Sequence, residues 1–120
     1  MKKAIITHSE ENKIENSAVR IEGEMQYDQG SEGALMQFSL ICKNLPIGTI
    51  VGFYSNTPGP VPPIELPPTT VSYYPSFVVG MESQVPANYQ CILTYYADFK
   101  QAPPANASIQ LQAAYIVNGD

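Results

Sequence analysis

Apolar and polar residues alternate along much of this chain, and the longest alternating run lies at residues 88–99. The odd-numbered residues from Tyr89 to Tyr95 share one face of an extended segment there, and nearly all residues of the run are β-branched, aromatic or apolar. A period of two residues with this composition is typical of a central β-strand. A second run at 108–117 follows after a segment that contains two prolines. We expect the two strands to pair as an antiparallel hairpin, with the odd-numbered residues of the second strand facing the core.

Five further segments have the composition and spacing of strands, and glycine, proline or asparagine residues separate them. These segments are residues 2–7, 17–27, 34–44, 49–55 and 69–81. No window shows the 3.6-residue apolar period of an amphipathic helix. The pattern predicts an all-β fold: an antiparallel two-sheet β-sandwich of seven or eight strands, either immunoglobulin-like or jelly-roll, in one domain over residues 1–120. We predict that its core contains Phe38, Leu40, Cys42, Phe53, Tyr89, Cys91, Leu93, Ile109, Leu111 and Tyr115.

Glycine and proline interrupt the pattern at three places. Gly52 lies inside a strand segment, where we expect a bend or a bulge. Residues 56–68 contain six prolines, and because proline cannot donate to a strand ladder, we expect an extended, polyproline-like loop or arm there. Pro75 lies inside the 69–81 segment and predicts either an edge position or a break into two short strands.

A short motif in the 88–99 run has a known counterpart. Tyr89, Gln90 and Cys91 resemble the Tyr-x-Cys motif of immunoglobulin-type domains. Cys42 lies on an earlier strand segment, and Phe53 follows it by eleven residues, where such domains often have tryptophan; this chain has none. The resemblance implies a two-sheet sandwich and implies no function.

Charged residues make up 14% of the chain, against about 25% in typical soluble domains, and the net charge is −5. Such a chain lacks the surplus of Lys and Arg that binding to nucleic acid backbones requires. Between residues 33 and 99 only Lys43, Glu65, Glu82 and Asp98 are charged, and a surface with so few charges tends to pack against another protein. We therefore expect a non-catalytic structural protein that associates with copies of itself in a particle, a filament, a crystalline inclusion or a virion decoration.

Tyrosine and proline suit such contacts. Exposed tyrosine combines an apolar ring with a polar hydroxyl, and a stiff proline segment can reach a neighbouring molecule. The predicted assembly contacts are Tyr54, Pro60, Pro62, Pro63, Ile64, Tyr73, Tyr74 and Tyr96. The alternative is a lectin-like module that binds a carbohydrate or another protein, with stacking platforms at Tyr54, Tyr73, Tyr74 and Tyr96.

We expect no catalytic site, metal or cofactor. His8 is the single histidine and lies next to Ser9, without a third group to orient it. Cys42 and Cys91 are the only thiols and do not make a zinc site; we expect buried, reduced thiols, with a disulfide as the alternative. The first residues lack the apolar core of a secretory signal, and no run is long enough to span a bilayer. We therefore expect a cytoplasmic protein without membrane insertion, with a virion or other assembled particle as a second location.

Overall fold

The computed structural model describes residues 2–8, 12–13, 19–29, 34–55, 63–72, 75–85 and 89–118, and its regular elements are all β-strands. The strands are β1 (Lys2–His8), β2 (Asn12–Lys13), β3 (Arg20–Gln29), β4 (Ala34–Lys43), β5 (Ile50–Ser55), β6 (Glu65–Thr70), β7 (Ser76–Val85), β8 (Tyr89–Asp98) and β9 (Ser108–Asn118). The alternating segments of the sequence thus form strands, and the predicted all-β fold is confirmed.

The strands form two antiparallel sheets. The first sheet has the order β1-β9-β4-β7, with the short β2 also paired to β9, and the second sheet has the order β3-β8-β5-β6. The strand pairs are nested in sequence, as in one long hairpin folded across two sheets. From the outermost pair inwards they are β1 with β9, β3 with β8, β4 with β7 and β5 with β6. Eight strands nested in this way over two sheets make a jelly roll. Of the two sandwich types that the pattern predicts, the chain adopts this one.

The predicted hairpin between the 88–99 and 108–117 runs does not form. β8 pairs with β3 and β5 in the second sheet, whereas β9 pairs with β1 and β4 in the first sheet. The connection between β8 and β9 crosses from one sheet to the other and ends in a turn in which the Ala107 N–H donates to the Pro104 carbonyl. Alternation determines which face of a strand is buried, but it does not determine which strand is the neighbour. The buried face of β9 is the odd-numbered one, as predicted.

The core lies between the two sheets. Tyr27 on β3 packs edge-on against Phe38 on β4 and against Tyr115 on β9, with ring centroids 5.6 Å apart in both pairs. Side chains of opposite sheets therefore interdigitate, as in a sandwich. Tyr115 is partly buried and packs against this core. The other predicted core residues are buried: Phe38, Leu40, Cys42, Phe53, Tyr89, Cys91, Leu93, Ile109 and Leu111.

The proline-rich segment is partly a strand. The predicted loop spans 56–68, but β6 begins at Glu65 and contains two of the prolines. β6 is an edge strand of the second sheet, and its pairing with β5 shifts at Gly52, so the two prolines fall outside the paired positions. Proline is tolerated at such an irregular edge because no ladder hydrogen bond is needed from it. Residues 56–62 lie outside the described residues.

Of the other two predicted interruptions, the break at Pro75 is confirmed. Gly52 lies at the shift in pairing between β5 and β6, but the extra residue of this irregularity is on β6, and β5 keeps its register with β8 through Gly52. Pro75 stands between β6 and β7, and these two strands belong to different sheets. The Asn44 N–H donates to the Pro75 carbonyl and joins the end of β4 to the start of β7.

Candidate functional site

Four of the predicted contact residues line one depression on the outer side of the second sheet. We call it the tyrosine depression; its volume is about 330 Å³, and its lining includes Tyr54, Pro63, Ile64, Glu65, Pro68 and Tyr96. Tyr54 on β5 lies directly opposite Glu65 on β6 and opposite a β8 residue two positions before Tyr96. The β5–β6 and β5–β8 pairings thus bring the two tyrosines and the glutamate to one surface.

Tyr96 is held from two sides on this outer face. It lies opposite Gly52 of β5, where a β-carbon would come within 2.6 Å of the tyrosine hydroxyl oxygen. On the other side, the guanidinium carbon of Arg20 lies 5.0 Å from the ring centroid, which is a cation–π contact. Arg20 also donates hydrogen bonds to Asp98 and, at 3.1 Å, to Glu22. Both bonds raise the pKa of its guanidinium, and the bond to Asp98 has the larger effect. The ring therefore has a fixed position at the margin of the depression.

Ile64 differs from the prediction that it is an exposed contact. Its side chain is 1% exposed and belongs to the core. The Ser55 N–H donates to the Ile64 carbonyl at 2.8 Å, which continues the β5–β6 pairing by one residue. Successive side chains of an extended segment point to opposite faces, so Ile64 points inward because its neighbour Glu65 points outward. The predicted contacts that lie outside the described residues are Pro60, Pro62, Tyr73 and Tyr74.

A second surface, which the sequence pattern did not predict, is the outer face of the first sheet. Among its described side chains, three large apolar ones are exposed: Ile6 on β1 (58%), Val78 on β7 (64%) and Ile116 on β9 (41%). Only Lys43 and Glu82 are ionisable among the described side chains of this face. Its other described side chains are mostly polar and uncharged, among them Gln37, Gln84, Gln110 and Gln112, and a surface with exposed apolar residues and so few charges tends to pack against another protein. The outer face of the first sheet is therefore a candidate contact surface.

One sequence signal for this surface exists. The 34–44 segment has apolar residues on both faces, with Ile41 opposite the face of Phe38, and a strand that is apolar on both sides usually has contacts on both. Ile6 and Val78 reach the same face only through the order β1-β9-β4-β7. Alternation alone does not predict that order.

Adjacent rows on this face differ in bulk. One row contains Ile41 on β4 and its partner Val78 on β7; we call these two residues the ridge. The next row contains Ser39 on β4 and its partner Gly80 on β7; we call these two residues the groove. Ser39 is buried, and a β-carbon at Gly80 would lie 2.5 Å from a backbone carbonyl oxygen of β4, so this row stays low. The ridge and the groove run side by side across β4 and the edge strand β7, and on β9 the two rows continue with Gln110 and Gln112.

A larger depression of about 470 Å³ lies at one end of the sandwich, between the turn after β4 and the connection before β9. The Asn44 side-chain amide donates to the Asn106 carbonyl at 3.1 Å beside it. Its lining contains no ionisable side chain and none of the predicted contact residues. It therefore has fewer groups that could bind a ligand than the tyrosine depression, which contains two tyrosines and a glutamate.

The two thiols lie in the core. Cys42 on β4 and Cys91 on β8 are buried and free, and their strands belong to facing sheets. Burial raises the pKa of the Cys42 thiol to about 12, and it also raises the pKa of Cys91. A nucleophilic or metal-binding cysteine has a lowered pKa, so neither thiol has a reactive environment. In the described residues, no group of three or more His, Cys, Asp or Glu side chains could hold a metal ion.

No family model, curated protein or solved structure matches this chain. In the described ranges, no helix has both the length and the apolar character needed to cross a membrane. Function is therefore inferred from the chemistry of the two surfaces, the tyrosine depression and the outer face of the first sheet.

Proposed function

We propose that this protein is a non-catalytic structural subunit that associates with copies of itself, and that the outer face of the first sheet is the contact surface. The observation that supports the proposal is the exposure of Ile6, Val78 and Ile116 on a face with two ionisable described side chains. Contact with another copy removes this apolar area from water, which is favourable by about 25 cal/mol per Å². A particle, a filament, a crystalline inclusion and a virion decoration are the kinds of assembly that such contacts build.

The face is large enough for a specific contact. Four strands spaced by about 4.8 Å, with about ten residues each at about 3.3 Å per residue, give a projected area of roughly 600 Å². The accessible area of a face covered with side chains exceeds its projection, and specific interfaces bury about 800 Å² per partner. The opposite face of the molecule is more hydrated, because Arg20, Glu22 and Glu24 are exposed there.

The variant Val78→Glu tests the proposal. A carboxylate at this position would be buried in the contact without a partner, so we expect the variant to lose self-association and to keep its fold. Ile47→Glu is the matched control, because Ile47 is 73% exposed in the turn after β4, away from this face. Light scattering at micromolar concentration compares the two variants with the wild type. A loss of large species in the Val78 variant alone supports the proposal, whereas a monomeric wild type or equal losses in both variants contradict it.

A second candidate function is carbohydrate binding in the tyrosine depression. It is favoured by the position of Tyr54, which is 42% exposed beside Tyr96 and opposite Glu65. An aromatic ring offers a stacking platform to the apolar face of a sugar, and a carboxylate accepts hydrogen bonds from its hydroxyls. Jelly-roll folds include lectin domains as well as capsid subunits, an analogy at the level of fold that is compatible with both functions.

A glycan array tests the second candidate. Tyr54→Ala is expected to abolish saturable binding, and Tyr54→Phe is expected to retain the part that comes from stacking. Ile92→Ala is the control, because Ile92 is an exposed residue on the same sheet outside the depression. A wild type that binds no glycan, or a Tyr54→Ala variant that binds like the wild type, excludes carbohydrate binding at this site.

A further inference from the structure

We infer that two copies of this chain pack face to face through the outer face of the first sheet, about a two-fold axis that crosses β4 at the level of Leu40, between the ridge and the groove. The axis lies in the plane of the contact and runs perpendicular to the strands. This inference rests on the proposed function and specifies its geometry.

The ridge and the groove are complementary under this rotation. The rotation reverses positions along β4 about Leu40, so Ile41 faces the partner's Ser39. Val78 faces the partner's Gly80, because Val78 and Gly80 pair with Ile41 and Ser39 on β4. Bulky side chains thus lie over a low row in both halves of the contact, which allows close packing. If the axis lay one residue further along β4, at Ile41, the ridge of one copy would face the ridge of its partner, and the bulky side chains would collide.

The two ionisable side chains among the described residues of the face follow the same symmetry. Lys43 lies three residues from Leu40 in one direction along β4, and Glu82 pairs with Gln37, three residues from Leu40 in the other direction. Within one chain they are about 20 Å apart, since six residues of a strand span that length, and they cannot contact each other. The rotation places Lys43 over the partner's Gln37, about one strand spacing of 4.8 Å from the partner's Glu82. Each dimer then contains two such pairs of opposite charge.

A second copy is the occupant that this surface fits. A contact about a two-fold axis requires a surface that is complementary to itself. Bulk and charge are independent properties of the face, and both meet this requirement about the same axis. The contact is therefore isologous and closes as a dimer.

Charge reversal tests the position of the axis. Lys43→Glu and Glu82→Lys each place like charges together at two points of the dimer, so we expect each to raise the dimer dissociation constant about tenfold or more. The double variant Lys43→Glu/Glu82→Lys restores opposite charges and is expected to dimerise within about threefold of the wild type. Glu24→Lys, on the outer face of the second sheet, is the control for charge reversal as such. Sedimentation equilibrium measures the dissociation constants, and circular dichroism checks the fold of each variant.

The possible outcomes separate this inference from the proposed function. Weak dimers in both single variants and recovery in the double variant support the axis. Single variants that dimerise like the wild type, or a double variant as weak as the single ones, overturn the axis and leave the proposed self-association standing. A wild type that forms no dimer overturns both.

Discussion

Side chains in the core are held in surroundings that suppress their ionisation. Burial raises the pKa of the Cys42 thiol to about 12. Desolvation also raises the pKa values of Cys91 and Tyr89 on β8. A thiol with a raised pKa carries almost no thiolate at neutral pH, and the thiolate is the form that alkylating reagents attack. The fold therefore protects both cysteines, by exclusion of solvent and by protonation.

We expect Cys42 and Cys91 to react slowly with iodoacetamide in the folded protein at neutral pH and rapidly in denaturant. Mass spectrometry measures the number of modified thiols against time. Rapid modification of either thiol in the folded protein would show that the core opens or that the thiol is ionised, in contradiction to the burial of both side chains.

The stability of the fold should fall in alkaline solution. Above the ordinary thiol pKa of 9.0, an unfolded chain releases the Cys42 proton, whereas the folded chain keeps it up to a pKa of about 12. The folded state therefore binds more protons in this window, and the free energy of unfolding decreases as the pH rises through it. Urea unfolding at neutral pH and at about pH 10 measures the change, and Cys42→Ala should show a smaller one. Equal changes in the wild type and in this variant would contradict the assignment to Cys42.

At the scale of strands, the sequence predicted which side of a strand is buried, but it did not predict which strand lies next to it. The alternation in β8 and β9 predicts their buried sides, and the outward positions of Tyr54 and Tyr96 follow from the inward residues next to them. The partner of each strand was not predictable in this way, because nested pairing joins segments that are distant in sequence, such as β1 and β9. Ile64 stands among prolines where no alternation applies, so its inward direction became clear only from the β5–β6 pairing.

The close approach of β5 and β8 makes a prediction about Gly52. A β-carbon at Gly52 would lie 2.6 Å from the Tyr96 hydroxyl oxygen, so we expect Gly52→Ala to displace the ring and to cost about 1–3 kcal/mol of stability. In a Tyr96→Ala background the same change should cost less, because the displaced ring is gone. A double-mutant cycle by urea unfolding measures the difference. Equal costs in both backgrounds would contradict the contact.

At the scale of the whole molecule, the two outer faces differ in chemistry. Both sheets expose apolar side chains, Tyr54 and Ile92 on the second and Ile6 and Val78 on the first, but the second sheet also exposes Arg20, Glu22 and Glu24, whereas the described side chains of the first include two ionisable ones. A two-fold contact through the first sheet would leave both charged faces in water. In the proposed dimer, the charged groups of a chain with 14% charged residues would therefore stay hydrated on both outward faces.

Ile6 and Ile116 lie towards the β1 edge of the first sheet, away from the ridge and the groove. In the face-to-face dimer each strand lies over its own counterpart, so Ile6 and Ile116 belong to the same contact as Ile41 and Val78, towards its β1 edge. We therefore expect Ile6→Glu to raise the dimer dissociation constant, as Val78→Glu does, because either carboxylate would be buried without a partner. Sedimentation velocity measures the monomer and dimer fractions. An Ile6 variant that dimerises like the wild type would contradict a contact that covers the whole face.

The mass of the unmodified protein in solution tests the central claim most directly. Sedimentation velocity over a concentration series through the micromolar range measures it. If the outer face of the first sheet joins copies of the chain, the species have masses above the 13.1 kDa of one chain and grow with concentration. A single species of 13.1 kDa at every concentration would contradict self-association.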